Sequence, residues 1–402
     1  MLVSALVSCS DVPAPGDESS VAESAPESVG GDNSSAADSS ESDSSDNEQS
    51  ADVSDGESSE DASESENESV ADDTSSTTPY QPNDGEFDLS NGLLILGDRC
   101  MESFAGSYDY ANLYAQYIKA HKADLGSDVN VYSMVVPTAS SIYLQDVVID
   151  GEDFYKKYGG DQVKKLEYLD ELFAKDGGVV SVNVYDELFA HWNEQIYFRT
   201  DWHWTQLGAY YAAQAFADTI GADMPTLDSG YYTKKGKYNE DGSPKDFLGT
   251  LYITAQKPAV LKNSPDEFFW YEFNHEYTVE YYDRETGKNL KRNYGSCYLG
   301  ISDKYVSSWY MTFLDADNNL CKINTGTKNG KTAVVFKDSF GNCFAPMLMS
   351  MYETVYVVDF RHFKGNSVDF CKSVGATDVM FAISSFSAMG GNCSTIGKMR
   401  LR

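Results

Sequence analysis

The first 98 residues contain no lysine and no arginine; Arg99 is the first basic residue. Of 63 acidic residues, 24 precede Asn91, so most of the net charge of -33 sits in the N-terminal quarter. The rest of the chain carries only about -9. It has no basic stripe to meet a phosphate backbone, which excludes nucleic acid as a partner. No apolar run reaches the roughly 20 residues that a membrane-spanning helix needs. The seven cysteines and five histidines form no CxxC pair and no cluster at zinc-ligand spacing, so no metal or cofactor is implied. If the protein is exported, Cys100, Cys297, Cys321, Cys343, Cys371 and Cys393 are enough for disulfides; free buried thiols are the equal alternative.

What is present at the N-terminus is a short signal and a long polar spacer. Leu6-Val7-Ser8-Cys9 fits a bacterial lipobox, in which Cys9 would become the lipidated residue after signal cleavage. The apolar stretch before it is short for a signal and has no basic start, so either the true signal is longer or the match is accidental. Residues 10–85 are almost entirely Ser, Asp, Glu, Ala, Gly and Asn. Such a segment buries too little apolar surface to offset its ordering entropy, and predicts a disordered acidic tether. The competing reading is a phosphorylated acidic tail of a cytosolic protein. Residues 86–402 then form the folded domain, long enough for one large core.

That domain is rich in aromatics, drawn from 28 Tyr, 20 Phe and 5 Trp in the chain. Its first half alternates strands and helices. Strands are expected at Gly92–Gly97, Val129–Val136 and Val179–Tyr185, and helices at Tyr108–Leu125, Gln162–Ala174 and, capped by Thr205, through Ile220. The alternation resumes at Thr332–Phe336, Thr354–Asp359, a helix near Val368–Val374, and Asp378–Ile383. This order argues a parallel sheet covered on both faces. Between about 228 and 327 helical periodicity fades and short β-like runs take over. Tyr277–Tyr281 and Leu290–Tyr294, joined through Glu285-Thr-Gly-Lys288, predict a β-rich insertion or lid.

Two segments carry the chemistry. Asp201-Trp202-His203-Trp204-Thr205 places a carboxylate two residues before a histidine, where it can orient the imidazole. Lys337-Asp338-Ser339-Phe340-Gly341 places a serine just after an apolar strand. Together they supply orienter, base and nucleophile for acyl transfer. Backbone N–H groups of Ser339 and Gly341, with Asn342 as a further donor, would face a developing oxyanion. Asp338 and Ser339 would equally serve as a helix cap, and Asp201 as a cap beside a packed His203; both readings stay open on the residues alone. Tyr197, Trp202 and Trp204 would either stack on sugar rings or pack in the core.

Tyr197-Phe-Arg-Thr-Asp201-Trp-His203-Trp-Thr-Gln-Leu-Gly208-Ala209-Tyr210 resembles the signature of the DHHW proteins and of the alginate O-acetyltransferases of the AlgJ and AlgX type. The resemblance implies an SGNH-hydrolase-like α/β/α domain in which Asp201 and His203 pair with Ser339 of the later Asp-Ser-Phe motif. Trp202 stands where the name-giving motif has a second histidine. Val358-Asp359-Phe360-Arg361 resembles the family's Asp-x-Arg segment, which implies Arg361 near the substrate or oxyanion. The function so implied is an O-acetyltransferase or esterase acting on cell-surface or exported polysaccharide; the lipobox and the spacer would place it, lipid-anchored, outside the cell. The partners so implied are the polysaccharide and an acyl donor, for which a membrane-bound O-acyltransferase is a candidate. The alternative from another class is a surface lipoprotein that binds glycan without catalysis.

Overall fold

The computed structural model describes residues 87–283, 288–290, 296–317 and 320–402. The lipobox with Cys9, the spacer over 10–85, residues 285–287 of the expected turn and residues 291–294 of the run after it lie outside the described residues.

The described chain begins with β1 (Phe87–Ser90), β2 (Leu93–Leu96) and β3 (Arg99–Glu102), which pair antiparallel as a small sheet of their own. Next come α1 (Tyr108–Leu125), β4 (Asn130–Val136), α2 (Gln162–Asp176), β5 (Val179–Ser181) and α3 (Gln206–Ile220). The middle region adds β6 (Tyr232–Gly236) and β7 (Phe269–Phe273), paired with each other, then β8 (Tyr277–Tyr282) and β9 (Leu320–Thr325). The last part holds β10 (Thr332–Lys337), α4 (Gly341–Phe344), β11 (Thr354–Asp359), α5 (Ser367–Ser373), β12 (Asp378–Ser384) and α6 (Cys393–Leu401).

Seven strands form the central sheet in the order β8-β9-β11-β10-β12-β4-β5. From β11 to β5 every pairing is parallel. At the other edge β9 runs antiparallel to both β11 and β8. Side chains alternate across a strand, so a strand covered on both faces must be apolar throughout. β10 shows this: Ala333 and Val335 join the core on the α3 side, while Val334 and Phe336 join the core under α1, α5 and α6. The result is a three-layer α/β/α arrangement: the alternating pattern implied the parallel sheet covered on both faces, and the resemblance implied its SGNH-like form.

Two expectations need correction. The Gly92–Gly97 segment is not part of the parallel sheet: Gly97, at a φ of 57°, turns the chain straight back and pairs β2 with β3. The strand expected over Val179–Tyr185 stops at Ser181, and Tyr185 opens a helix. In the middle region β8 pairs with β9, one bridge joins Tyr282 to Asn289, and through β9 this part of the chain extends the central sheet.

Candidate active site

β10 ends at Lys337, and the next three residues turn toward α4. Asp338 shapes this turn. One of its oxygens accepts from the Phe340 amide at 3.1 Å; the other accepts from the amide and hydroxyl of Ser384 at 2.9 and 2.7 Å. Gly341 allows the turn to close, since a Cβ there would lie 2.3 Å from Lys337 Cβ. Ser339 does not cap the helix. Its Oγ lies 2.9 Å from His203 Nε2.

His203 comes from the loop before α3. The loop is closed by a bridge between Tyr197 and Trp204, and α3 is capped by Thr205, whose hydroxyl accepts from the Gly208 amide. His203 Nδ1 lies 2.6 Å from Asp201 Oδ1. An ionised carboxylate can only accept, so Nδ1 carries the proton and Nε2 keeps a lone pair for the Ser339 hydroxyl. The other oxygen of Asp201 accepts from the amide and the hydroxyl of Thr250, both at 2.8 Å. Burial alone would push the Asp201 carboxyl up. The hydrogen bond and attraction of His203, with the two Thr250 donors, more than offset that and hold it below its ordinary value. Asp201 and His203 are nearly inaccessible to solvent, and Ser339 is the most open of the three at 9 %.

The middle region builds much of this site. Tyr310, in a 3-10 helix over Asp303–Thr312, lies flat on the His203 ring with centroids 3.7 Å apart and planes 4° from parallel. Its hydroxyl donates to the Ser339 carbonyl at 2.9 Å. Asp317 accepts from the Asn342 side-chain amide at 3.0 Å and pairs with Arg361 at 3.0 Å. Lys337, only 1 % exposed, pairs with the fully buried Asp359 at 3.0 Å. Arg361 also grips Asp359, through Nε at 2.9 Å and Nη2 at 2.6 Å. Burial opposes ionisation of Asp317, but Arg361 and Lys337 override it and hold the carboxyl far below the usual range. Two cations and two anions thus neutralise one another beside the Ser339 turn, the condition under which charges survive burial.

The structure brings Asp201, His203 and Ser339 together and leaves the other expected site residues in different roles. The Gly341 amide donates to the Asp338 carbonyl at 3.0 Å, so it does not fit as an oxyanion donor. The Asn342 side-chain amide is turned to Asp317, to which one N–H donates. The Ser339 amide has no hydrogen-bond partner among the described residues. Arg361 sits in the ion-pair cluster. Tyr197 is fully buried with its hydroxyl on the Pro137 carbonyl at 2.6 Å, and Trp204 is fully buried with its indole N–H on the Phe340 carbonyl at 2.9 Å. Both are core residues, not platforms for a sugar; Trp202 alone of the three is partly exposed.

Sequence reasoning missed Thr250, Tyr310 and Asp317, all from the stretch without clear periodicity. The six cysteines from Cys100 to Cys393 are free and buried. Cys343, whose sulfur lies 3.3 Å from the Tyr310 hydroxyl, has its thiol pushed up to about 12 by burial. It stays protonated and is a poor nucleophile. Among the described residues no three His, Cys, Asp or Glu side chains group as a metal would need, and no helix is long and apolar enough to cross a membrane.

An α/β/α sheet with Asp, His and Ser brought together in that chain order defines an SGNH-like protein of permuted order. The chain belongs to the DHHW protein family, whose sequence model matches residues 29–358. A DHHW family protein from Eubacterium siraeum is 33% identical, with 78% of this chain and 97% of that chain covered and a TM-score of 0.68. Bacillus cereus PatB1 shares the fold: its structure with a sulfonyl adduct is 16% identical over 77% of this chain and 98% of that one, with a TM-score of 0.56. The O-acetyltransferase domain of Pseudomonas putida AlgJ aligns over 78% of this chain and 98% of that one at 13% identity and a TM-score of 0.38. No curated protein matches the chain.

Proposed function

We propose that this protein is a serine-dependent O-acyltransferase or esterase that acts on cell-surface or exported polysaccharide. The observation that carries the reading is the unbroken hydrogen-bond chain from Asp201 through His203 to Ser339. A serine hydroxyl is a weak nucleophile until a base takes its proton. His203 Nε2 accepts that proton as Oγ attacks an acyl carbonyl. The resulting imidazolium is stabilised by Asp201, which stays ionised. The oxyanion of the tetrahedral intermediate accepts a hydrogen bond from the Ser339 amide. Collapse expels the donor's leaving group, protonated by His203, and leaves an acyl-serine. A sugar hydroxyl or water then attacks the acyl-serine, with His203 again as base; the first acceptor gives transfer and the second hydrolysis.

The test is turnover of 4-nitrophenyl acetate together with labelling by a sulfonyl fluoride, a probe suggested by the PatB1 structure with a sulfonyl adduct. Ser339→Ala should abolish labelling, and Ser339→Ala and His203→Ala should each lower kcat by about a thousandfold or more. Equal turnover in wild type and both variants would leave a glycan-binding surface protein as the reading. The extracellular, lipid-anchored placement is part of the same proposal and rests on Leu6–Cys9 and the spacer of 10–85. Metabolic palmitate labelling of the full-length protein, lost in Cys9→Ala, tests it; labelling that survives the substitution removes it.

A further inference from the structure

We propose that Tyr310 is a positioning residue that holds the His203 imidazole in the one plane serving both Asp201 and Ser339. The inference rests on the acyl-transfer reading above and adds to it a residue from the middle region. The imidazole has two partners in its own plane, Asp201 on Nδ1 and Ser339 on Nε2. Rotation about its χ2 angle would break both bonds at once. A ring stacked at 3.7 Å and 4° blocks that rotation from one face. Phe340, 5.3 Å away and tilted by 54°, stands as a further aromatic neighbour. Tyr310 is itself fixed, because its hydroxyl donates to the Ser339 carbonyl and contacts the Cys343 sulfur. It therefore ties the base to the very residue that the base must deprotonate.

The stacked ring also acts during the reaction. When the Ser339 proton moves to Nε2, the imidazole becomes a cation lying on an aromatic face. Such a face attracts a cation, and more strongly where water is excluded. The interaction is greater in the charged state than before proton transfer, which is the condition for raising kcat rather than lowering KM.

Tyr310→Phe keeps the face and loses the hydroxyl; Tyr310→Leu loses the face; Tyr310→Met is the substitute should the leucine variant fail to fold. With 4-nitrophenyl acetate, kcat should fall about tenfold or more in the leucine or methionine variant with KM unchanged, and by less than about threefold in Tyr310→Phe. Proton NMR gives a second readout that needs no turnover. The far-downfield Nδ1–H signal of His203 should persist in wild type and Tyr310→Phe and vanish through exchange in Tyr310→Leu or Tyr310→Met. A leucine or methionine variant with wild-type kcat and an intact downfield signal overturns the proposal. So does an equal loss in the phenylalanine variant. Failure of the acyl-transfer reading shows separately, as Ser339→Ala turnover equal to wild type, and the NMR arm then still decides whether the ring is held.

Discussion

Thr250 meets a single oxygen of Asp201 with two donors, its amide and its hydroxyl, each at 2.8 Å. The other oxygen is thereby left to His203. A hydrogen bond to a charged group contributes about 1.5–3 kcal/mol. Thr250→Val removes the hydroxyl and leaves the amide. It should lower kcat/KM for 4-nitrophenyl acetate by about tenfold to a hundredfold, and Thr250→Ser should restore most of it. Equal rates in the valine variant and wild type would show that the amide alone orients the carboxylate.

Gly249 is packed still closer. A Cβ there would lie 2.4 Å from Asp201 Cβ and 2.6 Å from its Oδ2. These contacts involve a short, buried side chain that has nowhere to go. Gly249→Ala should displace the carboxylate and lower kcat by about a hundredfold, the scale expected of an ångström-sized misplacement. Circular dichroism of the folded variant separates this from unfolding.

His121 should make the fold acid-sensitive. It is 1 % exposed, lies near the Phe336 and Phe381 rings, and bonds to the Tyr117 carbonyl and the Ser367 hydroxyl. Burial lowers its pKa to about 4; Arg400 adds to the lowering, against the Tyr117 carbonyl and Asp124. The unfolded imidazole takes up a proton near 6.5, so between that pH and 4 the unfolded state binds more protons and stability falls as pH falls. The loss is on the order of 3 kcal/mol by pH 4. Urea midpoints of His121→Gln should change less between pH 7 and 4 than those of wild type.

Glu102 works in the opposite direction. Burial, with the negative Asp201 as a smaller contributor and its own amide opposing, pushes its carboxyl up to about 7. One oxygen, Oε2, is buried without a partner. In this case the folded state holds its proton more tightly, so stability is full below the ordinary carboxylate range and is lost as pH rises toward 7. Glu102→Gln should raise the unfolding free energy from urea titration at pH 8, by an amount on the order of 3 kcal/mol, and change it little at pH 4. A lower midpoint at pH 8 would show that the carboxylate is satisfied in the native state.

The parts of this fold that were legible in the sequence are those where periodicity is enforced by burial on both sides. Ala333 to Phe336 reads as a strand because both faces of β10 are covered. The Asp201–His203 pair was legible because both partners lie two residues apart on one loop. Its link to Ser339, 136 residues later, came from the strand-then-turn pattern and the family resemblance. Leu93–Leu96 was recognisable as a strand, but an apolar run does not name its partner, and a tight turn took it out of the main sheet. Trp204 misled because a tryptophan beside a histidine says nothing about which way each ring faces. Tyr310 was hidden among 28 tyrosines, in a stretch where neither period repeats. Only the folded chain shows which one lies on the imidazole.

β12 is the last strand along the chain, yet it lies between β10 and β4 in the interior of the sheet. Asp338, which shapes the turn bearing Ser339, is moored to Ser384 at its end. A ribosome delivers this polypeptide from the other terminus. Until residues 378–384 emerge, β4 has no neighbour on its inner side, and the sheet does not join the halves that carry the imidazole and the hydroxyl. The sheet therefore closes only after this strand is made, and a chain ending before residue 378 would retain the Asp-Trp-His and Asp-Ser-Phe segments while losing the strand between β10 and β4.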